Sequence, residues 1–161
     1  MVREVRDRYR ATERQIRTIG NRMLKDANLS LSEYRVAGNK VDCKVKVLNA
    51  RWYDQHGRHM TFRMSPSVNG VSDYHSLMLG NYPPVGLFGY KRRDRIVRVV
   101  IVDIARFRQS VEDDVRKRTP LLTISHNNSN NPFVSLRIPD DAVMLERDLS
   151  GECADMFEEV A

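Results

Sequence analysis

The chain has 161 residues, enough for one domain with a real core and too few for two comfortable ones. No run of about eighteen apolar residues occurs, so no membrane-spanning helix is expected. The charged start, Met1-Val-Arg-Glu-Val-Arg-Asp-Arg8, has no apolar segment behind it that would make a secretory leader.

A net charge of +6, with arginine far outnumbering lysine, favours a polyanionic partner, because basic surface gains affinity by releasing counterions from phosphates. The competing explanation is a basic protein that binds nothing anionic. Cys43 and Cys153 are far apart and share no ligand spacing, so each is expected to be a small buried apolar residue. The cytoplasm is the default location.

From Val5 to about Lys25, apolar residues recur at three- and four-residue spacings among arginines, which predicts an amphipathic helix with a basic outer face. Tyr34–Ala37 and Val41–Leu48 follow as two short strands joined by the turn dipeptide Gly38-Asn39. In the second, Val41, Cys43, Val45 and Val47 alternate with Asp42, Lys44 and Lys46, so the charges share one face.

Residues Arg51 to Asn81 are less regular, with a hairpin near Tyr53–Met64 as the expectation. Two longer strands, Val85–Tyr90 and Ile96–Ile104, flank the charged turn Lys91-Arg-Arg-Asp-Arg95. Within the second, Val99–Asp103 is apolar enough to be a central strand buried on both faces. Ala105–Lys117 is expected to be helical, and Leu121–Ser125 and Phe133–Ile138 to be strands around a polar loop, His126–Asn131. The acidic tail, Asp140 to Val160, is expected to hold one or two short helices. The fold class is α/β: one domain over 1–161 with a central mixed sheet flanked by helices. Residues 1–28 form its basic helix, 33–138 its sheet core and 139–161 its helical tail.

The segment Glu33-Tyr-Arg-Val-Ala-Gly-Asn-Lys-Val-Asp42-Cys-Lys44 carries the chemistry. The turn at Gly38-Asn39 would fold Glu33 back near Asp42, placing two carboxylates and a lysine together. Carboxylates hold hard divalent cations, and a lysine beside them can face an attacking water or a scissile phosphate. Glu13, on the preceding helix, could add a third acid. The bland alternative for Asp42 and Lys44 is the wet face of a half-buried strand, and for Glu13 a solvated helix glutamate.

This segment resembles the catalytic core of the PD-(D/E)xK nuclease superfamily, and most nearly the endonuclease domain of the NaeI-type restriction enzymes. Ala37-Gly38 and Val41-Asp42-Cys43-Lys44 match that pattern as they stand. Glu33 falls at the first acidic position, where the family has aspartate. The family's helix glutamate falls near Arg17 on a gapless count, and Glu13 takes that place with a shift of one turn.

The resemblance implies a restriction-endonuclease-like fold and a Mg²⁺-dependent endonuclease acting on duplex DNA, with Mn²⁺ able to substitute. Glu33, Asp42 and the Cys43 carbonyl would bind the metal, and Lys44 would orient or deprotonate the attacking water. A homodimer is implied, because a twofold protein matches a palindromic site.

Lys46, Arg51, Lys91, Arg92, Arg93 and Arg95 are the candidate phosphate contacts, although a basic hairpin tip is as readily a solvated one. The four histidines, His56, His59, His75 and His126, fit surface or DNA-contacting positions better than zinc ligation, since no cysteine accompanies them. The rival functions are a non-catalytic DNA-binding module on the same fold and a basic RNA-binding protein.

Overall fold

A computed structural model describes residues 2–27, 43–65, 70–127 and 130–151. Helix α1, Val2–Asp26, opens the chain. Its C-terminal half buries Ile16, Ile19, Gly20, Met23 and Leu24, the spacing that puts apolar residues on one face of a 3.6-residue helix. The first half, residues 2–11, is exposed throughout.

Strand β1, Cys43–Asn49, leads directly into helix α2, Ala50–His56, and then strand β2, His59–Arg63. Here the expected hairpin near Tyr53–Met64 is half helix. The Asn49 side chain accepts the Arg51 N–H and so starts α2, and Gly57, at φ 74°, ends it.

A short helix α3, Asp73–Met78, precedes the long hairpin of β3, Val85–Arg92, and β4, Arg95–Asp103. Helix α4, Ile104–Val115, begins where Asp103 turns its carboxylate onto the Arg106 N–H at 3.1 Å. At its far end the buried Asp114 carboxylate accepts the Leu121 and Leu122 N–H groups at 2.9 and 3.0 Å, which fixes the exit toward strand β5, Thr123–Asn127. Strands β6, Phe133–Arg137, and β7, Val143–Asp148, complete the described chain.

The first part of the tail expected to hold short helices is mostly strand β7. Only Asp140–Ala142 forms a single 3₁₀ turn, and Val143–Asp148 adds an antiparallel strand to β4. Glu146 ties that strand inward, accepting from Tyr53 Oη at 3.0 Å and Arg58 at 3.3 Å. Residues 152–161 lie outside the described residues.

Among the described residues the architecture is mixed α/β with two sheets rather than one. The first is mixed, in the order β1-β3-β4-β7, with β1 parallel to β3 and the other pairs antiparallel. The second is antiparallel, in the order β2-β6-β5.

Strand β4 is central, and Val99, Val100, Ile101 and Val102 are fully buried on both its faces, as their uninterrupted apolar run implied. One face packs against α1 through Cys43, Val45, Val85, Leu87, Val99 and Ile101. The other face, with Phe88, Tyr90, Val100 and Val102, meets α4 and the inner face of the second sheet, Met60, Phe62, Val134 and Leu136. No helix among the described residues is long and apolar enough to cross a membrane.

Candidate active site

Alternation along β1 sorts its side chains as the sequence implies. Cys43 and Val45 enter the core under α1, whereas Lys44 and Lys46 take the opposite, half-buried face. Lys44 Nζ lies over the Tyr82 ring, 5.8 Å from its centroid. Lys46 Nζ is bound to Asp73 Oδ2 at 2.9 Å, in an ion pair that is mostly shielded on both sides. Asp73 sits in the first turn of α3, which Ser72 caps by accepting the His75 N–H at 3.0 Å.

Two tyrosines close this cluster. Burial, followed by the charge of Asp73, pushes the Tyr82 phenol well above its ordinary range, so it stays a neutral hydroxyl. That hydroxyl is buried and has no hydrogen-bond partner among the described residues. Tyr9 of α1, though about half exposed, is raised too, by its partial burial first and then by Glu13 and Asp73, with a hydrogen bond from the Val47 backbone opposing the shift. Glu13, half-buried on α1, acts on Tyr9 one turn before it.

Glu33 and Asp42, the expected metal-binding carboxylates, lie outside the described residues, as does the expected strand Tyr34–Ala37 with its turn at Gly38-Asn39. Cys43 is described and buried, as expected of a small apolar residue. Its carbonyl accepts a hydrogen bond from Arg17 Nη2 at 3.5 Å. Among the described residues, no three His, Cys, Asp or Glu side chains converge as a metal site.

Lys46 stands on β1 in this cluster, but the other predicted phosphate contacts do not gather around β1's start. In the parallel register Cys43 faces Val85 and Asn49 faces Lys91, so the hairpin tip lies about 20 Å along the strands from Cys43. Lys91, Arg92, Arg93 and Arg95 are together there, with Arg51 exposed on α2 just after the C-terminal end of β1. Arg93 adopts φ 56° in the two-residue turn, and Arg92 is paired with Asp54 of α2.

Among the histidines, His59 departs from the surface placement expected of it: it is only 3 % exposed. Its Nδ1 is 2.9 Å from the Gly57 carbonyl, and its own backbone N–H and C=O are both bound by the Tyr90 hydroxyl, at 3.1 and 2.7 Å.

Tyr9, Asp73 and Tyr82 were not legible as site residues. Tyr9 belongs to the periodic apolar stripe of α1. Asp73 falls in the irregular stretch Arg51–Asn81, and Tyr82 lies just past it, before the expected strand from Val85.

No family model, no curated protein and no solved structure matches this chain.

Proposed function

We propose that this chain is a Mg²⁺-dependent endodeoxyribonuclease of restriction type that hydrolyses phosphodiester bonds of duplex DNA. The observation that carries the reading is Lys44, held half-buried one residue after the Cys43 carbonyl and over the ring of Tyr82, whose buried hydroxyl no group among the described residues satisfies. A buried polar atom without a partner costs free energy comparable to a lost hydrogen bond, so such a group commonly serves a ligand or an ordered water.

Two carboxylates, Glu33 and Asp42, with one carbonyl form an oxygen-only donor set suited to Mg²⁺ or Mn²⁺. The Cys43 carbonyl, which takes a long contact from Arg17, is the oxygen of this strand that would complete that set. Bound there, the ion supplies charge neutralisation at the phosphate and a more acidic water.

The remaining work belongs to the chain itself. The cation–π contact fixes the Lys44 ammonium against Tyr82, where it can offset charge developing on the phosphate oxygens or orient the water. The Tyr82 phenol, kept neutral, can donate its proton in a hydrogen bond to a phosphate oxygen. Lys46 neutralises Asp73 and so keeps a carboxylate that faces the site from repelling the substrate. The basic hairpin tip, Lys91–Arg95, adds a second phosphate contact along the duplex. Two copies related by a twofold axis would present two such sites to a palindrome.

The test is cleavage of supercoiled plasmid in Mg²⁺, Mn²⁺ and EDTA by the wild type, Asp42→Ala and Lys44→Ala. Metal-dependent cutting should fall by at least about 100-fold in each variant. Undiminished cutting by Asp42→Ala would remove the assignment.

One observation favours a second reading, a non-catalytic DNA-binding module. The Arg17 guanidinium touches the carbonyl that the metal needs, and it stands where the resemblance leads one to look for a glutamate. Intact plasmid with retarded mobility, and no Mn²⁺ binding by calorimetry, would establish that reading instead.

A further inference from the structure

The outer face of the second sheet forms a cavity that shares no residue with the Lys44 cluster. Met60 and Phe62 of β2 and Val134 and Leu136 of β6 point into the core, so His59, Thr61, Phe133 and Ser135 line the opposite face. With Ile124 and Ser125 of β5 and Trp52 and His56 of α2, they enclose about 440 Å³, within the ~300–1,000 Å³ typical of small-ligand sites.

The walls are aromatic. Trp52 is half exposed and stacks on His56, with ring planes 9° apart and centroids at 6.0 Å, and Phe133 faces the cavity from β6. The floor is polar but uncharged. Thr61 Oγ1 and Ser135 Oγ are 2.8 Å apart in register across β2 and β6, and Ser125 continues the row onto β5.

His59 completes that floor. Its Nδ1 must be the protonated nitrogen, because a carbonyl only accepts, and this leaves Nε2 as an acceptor. No acidic side chain lines the cavity among the described residues. Exposed arginines stand beside it in register, Arg63 opposite Phe133 and Arg137 opposite His59.

We propose that this cavity binds an unpaired base of single-stranded nucleic acid. Rings for stacking, hydroxyls and a ring nitrogen for a base edge, and cations on either side for the phosphates are the three things such a ligand needs. An apolar side chain of a peptide would stack equally well, but it would offer nothing to His59 Nε2 or to the one hydroxyl proton that the Thr61–Ser135 bond leaves over, and would give the arginines nothing to hold. The inference does not rest on the nuclease reading, because a binding-only protein would use the same face.

Trp52 is the only tryptophan, so its fluorescence reports on this cavity directly. Titration with octathymidylate should give saturable quenching, and an octamer of abasic sugar-phosphates with the same charge should bind at least about tenfold more weakly. Phe133→Ala and Phe133→Leu should each weaken octathymidylate binding by about five- to 150-fold, the range found when one stacking ring is lost. The leucine variant retains apolar bulk, and thermal melts of both establish that they are folded. Asp42→Ala should bind as the wild type does, which separates this site from the proposed catalytic one. Equal binding of the abasic octamer, or undiminished binding by both Phe133 variants, would overturn the proposal. So would displacement of the octamer by a short phenylalanine-containing peptide at equal concentration.

Discussion

At His59 a titratable ring occupies a place that rejects its charge. Burial lowers its pKa below the ordinary 6.5, nearby His56 lowers it further, and the bond to the Gly57 carbonyl opposes both. The unfolded chain therefore takes up a proton at this residue at a higher pH than the folded chain does. Stability from this group is complete above about pH 6.5 and is lost as the pH falls through the lower folded value. Wild-type Tm should decline between pH 7 and 5, a window in which ordinary carboxylates remain largely ionised. His59→Gln keeps a donor for Gly57 without a titrating ring, so its decline should be shallower. Thermal melts across that range check this, and parallel curves for the two proteins would show that His59 is not the group responsible.

Helix α1 meets the sheet at Gly89, where it approaches closer than any side chain would allow. A Cβ built at Gly89 of β3 would lie 2.4 Å from Ile16 Cδ1 and 2.6 Å from Cγ1. Ile16 is fully buried between helix and strand, so it has nowhere to retreat. Gly89→Ala should destabilise the fold by about 1–3 kcal/mol, as overpacking does, and Ile16→Ala in the same chain should recover part of that loss. A urea-denaturation double-mutant cycle measures both.

The elements legible in the sequence were those whose periodicity has a single physical cause. The amphipathic repeat of α1, the alternation of β1 and the all-apolar run of β4 each stand where their patterns put them. Helix α2 and strand β7 were not legible, because their character comes from partners distant in sequence. Tyr53 of α2 is held by Glu146 of β7 and packs edge-on against Tyr90 of β3, contacts between residues that share no local pattern. The candidate site was legible in part for the same reason. Alternation puts Lys44 and Lys46 on one face, but only the tertiary fold brings Asp73, Tyr82 and Tyr9 to them.

Across the whole molecule, the two sheets share one apolar cluster rather than having a core each. Phe62 of the second sheet stacks on Phe107 of α4 with centroids 6.0 Å apart, and Phe107 belongs to the same cluster as Phe88, Val100 and Val102 of the first sheet. Tyr90 of the first sheet holds both backbone polar groups of His59 at the edge of the second, so opening the seam would leave buried donors and acceptors unpaired. Neither sheet can therefore lose its partner without exposing Phe62, Phe107 and their neighbours, and the sheets should unfold together. Phe107 is fully buried, so Phe107→Ala should cost about 3–5 kcal/mol, a large share of the ~5–15 kcal/mol that typically holds a domain folded. Far-UV circular dichroism follows all the secondary structure, and Trp52 fluorescence follows the surroundings of the second sheet. Their urea midpoints should coincide in the wild type and move down together in Phe107→Ala. An earlier transition at Trp52 alone would mean that the second sheet is an independent unit and that the shared cluster does not couple it to the first.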